Sequence, residues 1–401
     1  MKLLAFFSYF TPERAAGIQI TEEILAGAAA ADMDTIVYVP TPTRGISKET
    51  VKAYKKLRVE IRYDDKVKIH RIRLLQEGTN PIGRALRYLL LNVAFLWKGL
   101  RTKADVLFVD STPPTQGLMA GMLKKLKKIP VVYNLQDVFP DSLVTAGFTK
   151  EGSLIWKIGR KVEDYTYKSA DKIIVISQAM KRNILAKGVP EEKIAVISNW
   201  IDTDAVQPVA KEDNRLFEEF SIDREKFTVV YAGNFGAAQG AQVILEAAEL
   251  LPEVQFVIFG GGAEFEQAKK QAESLPNVIV NGLLPVERVP EVYSLGDVCL
   301  ITCKKGVGNS GMPSKTWSIM GCGTPIIAAF DTDSELSEIV TQAGAGICTE
   351  PEDPKALAEA IRTMQKNLCA YQGGRAYVCE YASKKKCVPQ YVEILMQEAK
   401  K

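Results

Sequence analysis

The chain has 401 residues, 47% of them hydrophobic, enough for two cores at the usual domain size of about 100 to 200 residues. Its net charge is only +3, but residues 1–200 hold 32 Lys+Arg against 20 Asp+Glu and residues 201–401 hold 19 against 28, so the halves carry +12 and −9. No apolar run of membrane-spanning length and no signal peptide is read, and seven cysteines without metal-ligand spacing read as reduced thiols; near-neutrality without a binding motif argues against nucleic acid. A cytoplasmic location is expected.

In the first half, strands are predicted at Lys2 to Phe7, Thr35 to Val39, Val67 to Leu74, Asp105 to Val109, Val131 to Asn134, Lys172 to Ile176 and Lys193 to Ile197. Helices between most of them make this a doubly wound α/β sheet. The first strand enters the loop Ser8 to Gly17, where Gly17 can bring backbone amides to a cleft. The single histidine, His70, reads as a surface or edge-strand residue rather than a catalyst. Ile82 to Lys103 mixes Arg84, Arg87, Lys98, Arg101 and Lys103 with leucines, Phe95 and Trp97 and has no acidic residue. Such a helix suits the headgroup region of an anionic membrane; the alternative is a helix packed on the sheet with its cations in water. The loop Gln136 to Ser142 places Asp137 and Asp141 after a strand and reads as a site loop.

The second half starts near Asn199, and polar Asp204 to Phe220 reads as an interdomain connection. Three strand–glycine loop–helix crossings follow. Thr228 to Ala232 runs into Gly233 to Gly240, Gln255 to Phe259 into Gly260-Gly261-Gly262, and Val298 to Cys303 into Lys304 to Met312. Ligands of open parallel sheets sit beyond the carboxyl ends of the strands, so three such loops converge on one crevice. Pro313 suits the first turn of the next helix, and that helix N-terminus with Lys315 beside it suits a phosphate. An amphipathic helix, Cys387 to Lys401, closes the chain.

Five segments in order carry a resemblance: Tyr9-Phe10-Thr11-Pro12-Glu13 with Gly17; Gln136-Asp137-Val138-Phe139-Pro140-Asp141; Ile197-Ser198-Asn199-Trp200-Ile201-Asp202; Tyr231-Ala232-Gly233-Asn234-Phe235-Gly236; and Pro313-Ser314-Lys315 through Gly323-Thr324-Pro325. Together they resemble the bacterial family 4 retaining glycosyltransferases of the GT-B fold, over essentially the whole chain. The resemblance implies an α/β architecture of two Rossmann-like doubly wound domains facing a cleft. Residues 1–198 would take the acceptor, 199–380 the nucleotide sugar, and 381–401 would return as a helix to the first domain. The chain looks most like the branch that builds surface polysaccharides such as capsule and O-antigen, including N-acetylfucosaminyltransferases. That implies metal-independent transfer, with retention, of an N-acetylated amino sugar from a UDP-sugar to a polyprenyl-diphosphate-linked saccharide. The enzyme would sit at the inner face of the cell membrane, held through Ile82 to Lys103, with no cofactor beyond the donor.

The chain also departs from that family. Where many members carry two glutamates eight residues apart, it has Ser310 and Ser318; where relatives place an arginine and a lysine, it has Asn234 and Gln239. Glu335 and Lys315 are the nearest substitutes. The implied binding set is Gly17, Asn234, Gly236, Gly261, Ser310, Pro313, Ser314, Lys315 and Glu335. The catalytic candidates are Asp137, Lys315 and Glu13. Asp137 either orients the reacting hydroxyl or caps the following turn, and Glu13 either reaches the acceptor or orders its loop. The losses keep open a non-catalytic nucleotide-sugar-binding subunit. A UDP-sugar 2-epimerase is disfavoured by the placement of His70, and a nicotinamide enzyme by the missing fingerprint.

Overall fold

The computed structural model describes residues 1–13, 17–74, 80–145, 147–308 and 312–401. They form two units: Met1–Ser198 with Cys387–Lys401, and Asn199–Lys386. The second unit therefore runs to Lys386, six residues past the boundary expected at 380.

Unit 1 is built on β1 (Lys2–Phe6), β2 (Asp34–Pro40), β3 (Val59–Arg62), β4 (Val67–Ile72), β5 (Val106–Asp110), β6 (Val131–Leu135), β7 (Lys172–Val175) and β8 (Ile194–Val196). Their order in the sheet is β3-β4-β2-β1-β5-β6-β7-β8. Central strands such as β6, with all five residues buried, are covered on both faces and so read as continuous apolar runs. β1 pairs in parallel with β2 (Leu4 opposite Ile36) and with β5 (Leu4 opposite Leu107), so the order of connection reverses between β1 and β5.

Two features differ from expectation. β3, which the sequence reading omits, pairs antiparallel with β4 as a four-residue edge strand whose Val59 and Ile61 are exposed, so burial leaves no mark on it. His70 consequently sits on an inner strand, half-buried and stacked on Tyr38 at 5.0 Å, with burial and the charges of Lys98 and Lys68 lowering its pKa.

Unit 2 contains β9 (Thr228–Asn234), β10 (Gln255–Gly261), β11 (Val278–Gly282), β12 (Val298–Thr302), β13 (Ile326–Ala329) and β14 (Gly346–Thr349), in the order β11-β10-β9-β12-β13-β14. This is the 3-2-1-4-5-6 arrangement of a mononucleotide-binding sheet, whose switch point lies between β9 and β12. The segment expected to be a connection is instead part of this unit. Leu216 and Phe217 are buried in its core, and Asn214 is buried while donating to Glu291 O at 2.7 Å.

The last helix, Lys384–Glu398, starts in unit 2 and finishes in unit 1. At its start Lys384 pairs with Asp202 at 3.1 Å, and the Lys384 amide donates to Ile201 O at 2.9 Å. Further on, Tyr391 and Leu395 are fully buried, and the Tyr391 hydroxyl donates to Asn134 Oδ1 at 3.0 Å. The seven cysteines are free thiols.

Candidate functional site

In unit 2 the loops leaving β9, β10 and β12 are bonded to one another. The Phe235 amide donates to Gly261 O at 2.7 Å, Glu264 to Phe235 O at 2.9 Å, and Lys304 to Ala238 O at 3.0 Å. Close approach requires glycine here, since a Cβ on Gly262, at φ 124°, would stand 2.3 Å from Asn234 Oδ1. Asn234 Nδ2 donates to Gln239 Oε1 at 3.1 Å, next to Gly236, so the two positions aligned with a cationic pair hold a closed amide pair.

Positive charge reaches the end of β9 from another element. The helix Lys315–Gly321 begins two residues after the start expected at Pro313, whose carbonyl accepts the Thr316 amide at 3.0 Å; Ser314 is its N-cap without a side-chain cap bond. Lys315 extends back over β9, its Nζ 3.9 Å from the centre of the Tyr231 ring and donating to Ala232 O at 3.3 Å. The Tyr231 hydroxyl donates to Asn234 O at 2.8 Å. Burial pushes the Lys315 ammonium down to about 7 from its ordinary 10.5, because lost hydration penalises the charged form. A cation held at the sheet's switch point with little solvation gains strongly from an anionic ligand.

Asp331, which the sequence reading does not single out, orders the loop after β12. Buried beyond the end of β13, it accepts the amides of Gly306 at 2.9 Å and Gly308 at 2.7 Å. Its only sequence mark is an acidic side chain directly after a strand. Glu335 opens the helix Glu335–Gln342 behind the Ser334 cap, and its charge adds to the burial that raises Tyr377, whose ring stacks on Trp317 at 6.5 Å. Ser310 lies outside the described residues. A cavity of about 580 Å³ opens beside the loops, bordered by Phe235, Gly240, Glu264, Lys304 and Glu352, with neither Lys315 nor Glu335 in its lining.

In unit 1, Glu13, expected either to reach the acceptor or to order its loop, is tied into the backbone around it. It is buried, and its carboxylate accepts the amides of Thr43 at 2.8 Å, Arg44 at 3.0 Å and Phe10 at 3.3 Å, which occupies it with backbone. Gly17 takes a left-handed φ of 82° as N-cap of the helix Ile18–Ala30, and its carbonyl accepts the Thr21 amide at 3.0 Å. Asp137 is exposed on its loop; its packed surroundings and the like charge of Asp141 raise its carboxyl, while bonds from Ser142 and the Val138 amide act against them. The loop is anchored from behind by Lys187, which bridges Asp141 at 2.7 Å and buried Glu163 at 2.9 Å. Also missed from sequence is the polar cluster at the ends of β5 and β6. Asn134 donates to Asp110 at 2.7 Å and accepts from Gln136 at 2.9 Å, and burial pushes Asp110 up to about 6.

Residues 19–205 match the family described as Glycosyltransferase Family 4, and residues 212–378 that described as Glycosyl transferases group 1. WbjE of Pseudomonas aeruginosa, described as a probable glycosyltransferase, is 30% identical over 293 residues, 72% of each chain. WcaI of Escherichia coli, named as a candidate colanic acid biosynthesis glycosyl transferase, is 28% identical over 259 residues, 62% of this chain and 64% of its own. Among solved structures, HepE of Anabaena in complex with UDP superposes with a TM-score of 0.72 at 16% identity, covering 99% of this chain and 100% of that one. WaaG, a glycosyltransferase involved in lipopolysaccharide biosynthesis, gives 0.65 at 13%, covering 98% and 99%. At such identities the structures speak for the fold alone, which is GT-B. With both domain matches in order and a relative sharing 30% of its residues over most of its length, the chain belongs to the glycosyltransferases that join a family 4 domain to a group 1 domain.

Proposed function

We propose that the protein transfers a sugar, of the N-acetylated amino type, from a UDP-sugar to a polyprenyl-diphosphate-linked saccharide in bacterial surface polysaccharide synthesis, with retention at the anomeric carbon. The observation that carries the donor half is the Lys315 ammonium, underhydrated at the β9–β12 switch point and surrounded by loops rich in backbone amides. A leaving diphosphate needs its charge met as it develops, and preorganised amides with one cation supply that without reorganisation. We assign this task to Lys315, the amides around Gly236 and Gly261, and the Ser314 turn, rather than to a metal ion. Glu335 is assigned to the ribose and Asp137 to the acceptor hydroxyl. The name of WcaI, which speaks of colanic acid biosynthesis, supports the pathway, and HepE was crystallised in one complex with UDP and in another with UDP-glucose.

The Asn234–Gln239 amide pair and the serine at position 318 favour one second reading, a subunit that binds nucleotide sugar without turning it over. Thermal melting against UDP, GDP, ADP, CMP and NAD tests the donor class, since a ligand that binds only the folded chain raises its stability by mass action. A shift with UDP alone is expected. No shift with any of the five overturns the donor assignment, and a UDP shift without UDP release from UDP-amino sugars and lipid-linked acceptor favours the second reading.

A further inference from the structure

Strand β3 ends the unit 1 sheet on one side, and among the described residues no strand pairs with its outer edge. The extended run begins at Leu57 (φ −76°, ψ 116°) and ends at Arg62, because Tyr63, Asp64 and Asp65 turn left-handed at φ 54°, 50° and 65°. The Arg71 amide donates inward to Arg58 O at 2.9 Å, so Arg58, Glu60 and Arg62 direct their backbone groups at β4. Leu57, Val59 and Ile61 therefore point theirs outward. The side chains of these three share one face of the strand and are 37%, 42% and 54% exposed. An edge with outward backbone groups and an apolar stripe is a template for one more strand.

The order of charges along the run says which strand fits. Exposed Lys55 and Lys56 precede it and exposed Asp64 and Asp65 follow it, with exposed Arg58 and half-buried Glu60 between. A second copy running antiparallel, with Val59 opposite its own counterpart, brings Leu57 opposite Ile61 and Arg58 opposite Glu60. The same register sets the lysine end of each strand against the aspartate end of the other. The Glu60 carboxylate is fixed in place by Arg71 at 3.1 Å and by Arg62, which also pairs with Glu22, so two acids balance two arginines there. Other registers are worse. Centring on Glu60 opposes that acid with itself and Arg58 with Arg62, centring on Ile61 calls on Tyr63 after it has left the extended region, and a parallel copy opposes lysine with lysine. We infer that β3 is a self-pairing edge, through which two copies of the chain join residues 57–62 antiparallel into one continuous sheet about a two-fold axis at Val59. The inference rests on backbone direction, exposure and charge order and stands without the donor assignment.

Sedimentation velocity of the full chain over a concentration series tests it. Val59→Pro deletes an outward amide that an unpaired edge can spare, and Val59→Lys sets two cations on the axis without touching the backbone. The parent is expected to dimerise, and its dissociation constant to rise about tenfold or more in both variants while the melting of the dilute chain holds. Disulfides formed under mild oxidation read the register, against the parent with its own exposed Cys369 and Cys379. Val59→Cys is expected to cross-link with itself, whereas Leu57→Cys and Ile61→Cys cross-link when mixed and not alone. A parent that stays monomeric at every concentration overturns the proposal. So does a dimer that neither Val59 variant weakens, or one in which Ile61→Cys alone cross-links as well as the mixture.

Discussion

Lys315 shows how one side chain can cost stability and supply function. Its pKa near 7 in the folded chain lies below its ordinary 10.5, so between those values the unfolded chain holds the extra proton. The penalty is complete below about pH 7 and fades as pH rises toward 10.5. Lys315→Met is therefore expected to melt higher than the parent at pH 6.5, with the gap narrowed by about half at pH 9 and closing only toward pH 10.5, and to lose any UDP-induced shift. A variant that melts lower at every pH would place the ammonium in a supporting role. Binding of a diphosphate should restore the proton, so calorimetry near pH 8 in buffers of different ionisation enthalpy should show proton uptake in the parent and none in Lys315→Met.

At the scale of elements, the loop after β12 depends on a carboxylate from the next crossing. Asp331→Ala strands the amides of Gly306 and Gly308, and with both buried or half-buried about 1–3 kcal/mol of stability should go, together with nucleotide binding. Denaturant unfolding and UDP titration measure the two losses; unchanged UDP affinity would detach this loop from the donor site. The same loop shows what was legible. Strands such as β6 and β9 announce themselves because both faces are buried, and the glycine loops because close approach excludes a side chain. Asp331 does not, because an acid whose only task is to hold amides has no pattern until the fold brings those amides to it. For Glu13 the sequence offered two roles, and its three amide donors are the detail that spacing does not carry. β3 and the Leu216–Phe217 turn were missed for related reasons: one is a short exposed edge, and the other buries two residues inside a polar stretch.

At the scale of the whole molecule, charge follows the division of labour proposed for the halves. The basic half carries the helices with outward apolar residues and the acidic half the three glycine loops, with half-buried Lys315 standing out against that acidic background. The helix Lys384–Glu398 joins the two accounts. Each fully buried apolar side chain contributes about 1.5–3 kcal/mol, so removing Tyr391 and Leu395 takes much of the 5–15 kcal/mol a domain usually has. A chain ending at Lys386 is expected to lose cooperative melting of unit 1 while unit 2 still melts as a unit; limited proteolysis would locate the cleavage before Ser198. Intact melting of both would mean that the helix only covers a finished fold.

Because unit 1 is completed by residues 387–401, its order of manufacture is inverted. The segment made first must leave the ribosome and wait, with the groove for Tyr391 unfilled, while all of Asn199–Lys386 is synthesised and becomes able to fold. The N-terminal half is thus the oldest part of the nascent chain and the last to mature, with its outward apolar helices present throughout the delay.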